Sequence, residues 1–193
     1  MHLRHASSAE PADWISGLTF REATSFGPSG FAAYARLRYI PDPVRPGQSE
    51  NEVEVPEDHL SDLDQARLAF AHLAQHTETA EHCYVGIWDG YHDDRLPVGP
   101  GPHVRFDLPH RRYLLMEGPL DALRFWETDL GPRAPHVPPA FVWPADHAWI
   151  FVSDVDPHWA GIGASREAIT ELTDDPFLDI VAADPDLAQP YYY

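Results

Sequence analysis

The sequence contains no lysine. All thirteen of its Lys-or-Arg positions are arginine, set against thirty-one acids for a net charge of −18. A GC-rich genome, which favours arginine codons, produces this pattern, and so does salt adaptation, which suppresses lysine while adding Asp and Glu. A single cysteine, Cys83, cannot form an internal disulfide, so nothing argues for an oxidising compartment. No apolar run reaches transmembrane length, and the opening MHLRHASSAEPADW lacks the apolar region of a secretory signal. The cytoplasm is the expected setting, with no membrane partner.

Signatures of catalysis are also missing. GIGAS at 161–165 lacks both the G-x-G-x-x-G spacing and the lysine of a phosphate loop. It reads as a strand-to-helix turn, whose helix-start amides can hold an anion. No Gly-x-Ser-x-Gly elbow is present, and Cys83 has no mark of activation. No catalytic residue is assigned, and no cofactor is expected beyond the option of a divalent metal.

What the sequence does hold is acid in blocks. Glu50, Glu52, Glu54, Glu57, Asp58, Asp62 and Asp64 lie between Arg45 and Arg67 with no arginine among them, and seven more acids follow Arg166. Such a field repels phosphate backbones, so no nucleic acid is expected as a partner. It attracts a basic protein, or simply keeps the surface solvated.

The element pattern predicts an α+β fold in a single domain, with a mainly antiparallel sheet and about three helices. In FAAYARLRY, Phe31, Ala33, Ala35, Leu37 and Tyr39 alternate with Tyr34, Arg36 and Arg38, predicting a strand. Ser61 caps a helix whose Leu60, Leu63, Ala66, Phe70 and Leu73 share one face. Further strands are predicted over 83–88, 103–107, 112–117, 148–155, 158–164 and FLDIVA, with helices after Gly118-Pro119 and after Ser165. Residues 1–12 are expected to be flexible, 13–183 to form the domain, and 184–193 to be a tail. An acidic loop is expected over 41–57, and proline-rich loops over 95–102 and 131–144.

Four groups of residues carry candidate chemistry. His72 and His76 stand four apart on the predicted helix, yet His72 lies ~180° from Leu63, away from the core, and no Glu follows it. Capping and solvation fit them better than a metal. His82 and Cys83 point to opposite faces of the next strand, where Cys83 joins Val85 and Ile87 as a small buried hydrophobe. In SDVDPHW, Asp154, Asp156 and His158 alternate onto one side of an extended segment and form a candidate metal site, to which Asp89, His92, Asp93 and Asp94 can add oxygen ligands. Asp-x-Asp-Pro is equally ordinary turn chemistry. Asp146-His147 is an acid–base pair only if a cleft holds it.

The aromatics offer a binding reading. Trp143, Trp149 and Glu117 are candidates for a small-molecule pocket, although most tryptophans fill cores. Glu50, Glu52, Glu54, Glu57, Asp58, Trp143, Tyr191, Tyr192 and Tyr193 are candidates for a partner surface, since tryptophan and tyrosine are the usual anchors of interfaces.

Three stretches, YVGIWDGY at 84–91, YLLMEGP at 113–119 and WPADHAWIFVSDVD at 143–156, together resemble a group of uncharacterised actinobacterial proteins of about this size. Members often read Gly-Gly-Ser where this chain has Gly163-Ala164-Ser165. The resemblance implies a bacterial setting and adds no catalytic residue. The leading expectation is an acidic binding protein, inhibitor- or immunity-like against a basic partner. A metal-dependent hydrolase on the Asp/His cluster and a small-molecule binding domain are the alternatives.

Overall fold

The computed structural model describes residues 2–90, 103–126 and 136–193. Nine strands form one sheet: β1 (Arg4–His5), β2 (Ala33–Arg38), β3 (Cys83–Trp88), β4 (Arg105–Leu108), β5 (Arg111–Gly118), β6 (Phe141–Pro144), β7 (Ile150–Val152), β8 (Trp159–Ala164) and β9 (Ile180–Ala183). Their order is β1-β5-β3-β6-β7-β8-β2-β9, with β4 beside β1 on the outer flank of β5. Each of the eight strand pairings is antiparallel. The α+β reading with a mainly antiparallel sheet is therefore correct.

The sheet is buried on both faces, which explains why its strands read as near-continuous apolar runs. On one face Cys83, Val85, Ile87, Leu114, Met116, Phe151 and Ile162 pack against α2 (Asp62–Leu73) and α3 (Arg166–Asp174). Residues of opposite parity, such as Tyr113, Leu115, Phe141 and Ile150, pack against Ala12, Ile15, Leu18 and Ala23 of the N-terminal segment. That segment contains a 3-10 turn over Glu10–Ile15 and the single turn α1 (Phe20–Ala23). Helices α2 and α3 start as the sequence indicates. Ser61 accepts from the Asp64 amide, and Ser165 accepts from the Ala168 amide.

Several expectations need correction. Residues 2–12 are tied down, not loose: β1 pairs with β5, and Leu3, Ala6 and Ala12 are buried. Polar residues spaced between them hide these apolar positions, which join the two cores on either side of the sheet. The proline-rich stretch expected over 131–144 ends in a strand, because Phe141, Val142 and Trp143 are core residues. Its residues 131–135, like the loop expected over 95–102, lie outside the described residues. After Pro119 the chain begins with a 3-10 turn, Leu120–Phe125, and Trp126 is helical; residues 127–130 of the helix expected there lie outside the described residues. Leu60 precedes the cap of α2 and is exposed, so it does not belong to that helix's inner face.

The glycines of GIGAS serve the strand as well as the turn. Gly161 and Gly163 face the N-terminal layer, where a Cβ on Gly161 would run into the Ser25 carbonyl and one on Gly163 would lie 2.6 Å from the Phe31 ring. Their bare backbone lets that layer sit directly on β8.

Candidate functional site

Strand β2 sends Ala35 and Leu37 into the helix-side core, and its alternate residues Arg36 and Arg38 to the opposite face. The chain then turns at Tyr39–Pro41 and brings Asp42 back under those arginines. Arg36 donates two parallel hydrogen bonds, Nη1 to Asp42 Oδ1 at 2.6 Å and Nη2 to Oδ2 at 3.0 Å. Arg38 adds Nη1 to Oδ2 at 3.1 Å and binds Asp179, just before β9, through Nε and Nη2. His158, immediately before β8, completes the set with Nε2 at 3.0 Å from Asp42 Oδ1.

This hub is costly to form and strongly determined. The His158 side chain is 1% exposed and that of Arg36 is 7% exposed, so each depends on Asp42 for compensation. Burial alone would raise the Asp42 carboxyl. Hydrogen bonds from Arg36 and His158 outweigh it and hold the group far below the ordinary carboxylate range. Burial lowers the His158 imidazole despite the pull of Asp42. The neutral ring therefore donates from Nε2, since an ionised carboxylate can only accept. The guanidinium of Arg36 also lies 5.6 Å from the Trp159 ring centre, a cation–π contact.

Two surface segments are fastened to the hub. Asp42 opens the acidic loop, and residues 185–193 return across it. Tyr192 packs edge-on against His158 at 4.7 Å and donates its hydroxyl to the Pro41 carbonyl. The Tyr193 amide donates to the Gln48 carbonyl at 3.0 Å, and the Trp159 indole donates to the Pro190 carbonyl at 3.3 Å. Arg21 holds the carbonyls of Pro185 and Leu187 at 2.7 and 2.9 Å. The tyrosine segment therefore lies against the start of the acidic loop, at Pro41 and Gln48. Glu50, Glu52, Glu54, Glu57 and Asp58 are all exposed in the loop beyond Gln48, and Tyr191 and Tyr193 are exposed in the terminal segment. Among the described residues only Glu52 of these five acids has an ion pair, with Arg45.

The other candidates are dispersed. Trp143 is fully buried, which removes it from a partner surface. Trp143 and Trp149 lie on opposite faces of the sheet, so no pocket can hold both, and Glu117 is taken by Arg4 at 3.0 Å. Asp154 and Asp156 turn toward Arg111, at 2.9 and 3.4 Å, while His158 turns to Asp42. The segment bends after β7 and is not extended, so alternation does not apply to it. Among the described residues no three His, Cys, Asp or Glu side chains converge as a metal site. Asp89 is bound to Arg105, and His92, Asp93 and Asp94 lie outside the described residues.

His72 on α2 and His76 in the 3-10 turn that follows it (Ala74–His76) both reach the C-terminal half of α3. His72 meets Asp175 at 2.6 Å, and His76 meets Glu171 at 2.9 Å. Asp146 caps the 77–79 turn by accepting from Thr77 and the Glu78 amide, so it is not a base for His147. His147 instead stacks flat on Trp14, 4.1 Å between ring centres. Cys83 is fully buried, and burial pushes its thiol up to about 12. Among the described residues no helix is long and apolar enough to cross a membrane.

Sequence reasoning missed the hub itself. Alternation placed Arg36 and Arg38 together, but Asp42 was absorbed into a loop and Asp179 lies 141 residues from Arg38. No protein-family model, curated protein or solved structure matches the chain.

Proposed function

We propose that this chain is an acidic interaction protein that acts by occupying a basic protein partner, in the manner of an inhibitor or immunity protein, without turnover. The observation that carries the reading is the union of the acidic loop and the tyrosine segment. Tyr193 is hydrogen-bonded to Gln48 and Tyr192 to Pro41, on a base locked by Asp42, Arg36 and His158. A surface meant only for solvation has no need of such an anchor. Pre-organisation of this kind lowers the ordering cost of binding, and the unpaired acids speed encounter with a basic surface. The same field disfavours nucleic acid. The stretches at 84–91, 113–119 and 143–156 support an actinobacterial cytoplasm as the setting.

The test compares proteins retained from cell extract at low salt by the immobilised chain and by a variant with Glu50, Glu54, Glu57 and Asp58 all changed to Gln. The reading expects basic proteins that bind the native chain, are lost with the variant, and are released at about 0.3 M salt, where screening is strong. Identical retention by both forms would overturn it.

A further inference from the structure

Strand β9 closes one end of the sheet, pairing with β2 on one side and, among the described residues, with no strand on the other. The ladder fixes which of its backbone groups face outward. The Arg38 amide donates to the Asp179 carbonyl at 2.8 Å, so Asp179 and, by alternation, Val181 and Ala183 turn their amides and carbonyls toward β2. Ile180 and Ala182 turn theirs to the open edge, where no described residue bonds them. That edge has none of the usual protection. Ile180–Ala183 contains no proline, no charge and no bulge, and Ala182 is exposed. Two large apolar side chains flank it, Phe177 at 78% and Leu187 at 61% exposed. Acid flanks it too: from Asp174 to Asp186 there are five aspartates and no basic residue. His72 engages Asp175 and Arg38 engages Asp179, which leaves Asp174, Asp184 and Asp186 exposed and without an ion pair among the described residues.

We infer that an extended basic segment of the protein partner adds to β9 as a further strand, its main chain bonded to Ile180 and Ala182 and its cationic side chains set against Asp174, Asp184 and Asp186. The inference rests on the basic-partner reading and names the place and the mode of docking. Main-chain pairing at a sheet edge supplies affinity with little regard to sequence, and the flanking charge decides which chain is admitted. A second copy of this chain is disfavoured, because pairing edge to edge would bring two sets of unpaired aspartates together. A basic strand gains from the same carboxylates. The edge is also held firmly. Arg38, which binds Asp179 at the entry to β9, grips Asp42 as well, so the edge is fixed to the hub that anchors the acidic loop. Only the incoming segment has to be ordered, which lowers the cost of binding.

The experiment titrates the protein into a fluorescently labelled peptide of alternating arginine and valine, and into the same peptide N-methylated on every amide of its central residues, reading anisotropy at low and high salt. Methylation keeps the charge and removes the donors that a strand needs. The plain peptide is expected to bind about ten-fold more tightly. Ala182→Pro removes an outward amide without touching the β2 ladder, a change that edge strands tolerate, and should weaken the plain peptide about five-fold. Thermal unfolding checks that the variant is folded; if it is not, the two peptides on the native protein decide the matter alone. Equal affinity for the two peptides, an unweakened but folded Ala182→Pro variant, or no binding of the plain peptide each overturns the inference. Equal, salt-sensitive binding that disappears in the four-fold Gln variant overturns it too, but would leave the basic-partner reading standing.

Discussion

His158 and Asp42 meet across a 3.0 Å hydrogen bond although 116 residues separate them. The contact links the entry to β8 with the start of the acidic loop.

Changing Asp42 to Asn removes the charge that Arg36, Arg38 and His158 share. Arg36 is left buried without its counter-ion, a loss of about 3 kcal/mol. Chemical denaturation should show this drop. Hydrogen exchange should show faster exchange of the Tyr193 amide, which is held through the same loop. An unchanged midpoint would contradict the hub's role.

Acid should act on the same group in two stages. His158 has a folded pKa depressed by burial from its ordinary 6.5, so the unfolded chain takes up the proton more readily. Its contribution to stability is complete above 6.5 and declines as pH falls from there through the folded value. The Asp42 carboxyl is held well below 3.8, so its contribution is present above that pH and is lost as pH falls further. Unfolding midpoints measured from pH 8 to 2 should fall below pH 6.5 and again below pH 3.8. In a His158→Asn variant the upper decline should shrink, and His147, which burial also lowers, should keep its share of it.

Cys83 should be chemically silent. A fully buried thiol pushed up to about 12 presents almost no thiolate at pH 8. A thiol reagent should titrate no cysteine in the native protein and one in guanidinium chloride. Rapid native labelling would mean that β3 opens easily.

Two glycines should respond oppositely to alanine. At Gly161 the added methyl collides with the Ser25 backbone, which cannot yield as a side chain can, so Gly161→Ala should cost about 3 kcal/mol. At Gly17 nothing lies within 4 Å of a new Cβ, and Gly17→Ala should stay within about 0.5 kcal/mol of the native protein. Thermal unfolding of the two variants side by side makes the comparison.

The parts of the fold readable from the sequence are those governed by local rules. Ser61 and Ser165 cap their helices, alternation orders β2, and the CYVGIW run forms β3, because each depends on neighbours a few residues away. The N-terminal layer was not readable. Ala6, Ala12, Ile15 and Leu18 form no regular period, and only the sheet face they cover reveals their purpose. Phe31 shows the same limit: alternation groups it with Ala35, but β2 starts at Ala33 and Phe31 packs with Trp14 on the opposite face. Of the candidate site, the acids and tyrosines were readable as composition. Their union was not, since it runs through Asp42, His158 and Asp179, three polar residues drawn from separate parts of the chain.

Strand β2 lies between β8 and β9, pairing Arg38 with Trp159 on one side and Leu37 with Ile180 on the other. During synthesis an early strand must therefore wait, with both its edges open, until more than a hundred further residues have left the ribosome. Closure of such distant pairings is slow, and an open edge is a template for a second nascent chain. The acid-rich stretches translated in that interval, from Glu50 to Asp64, would keep neighbouring copies apart by mutual repulsion. The charge of this stretch thus bears on assembly of the chain before it bears on the finished protein.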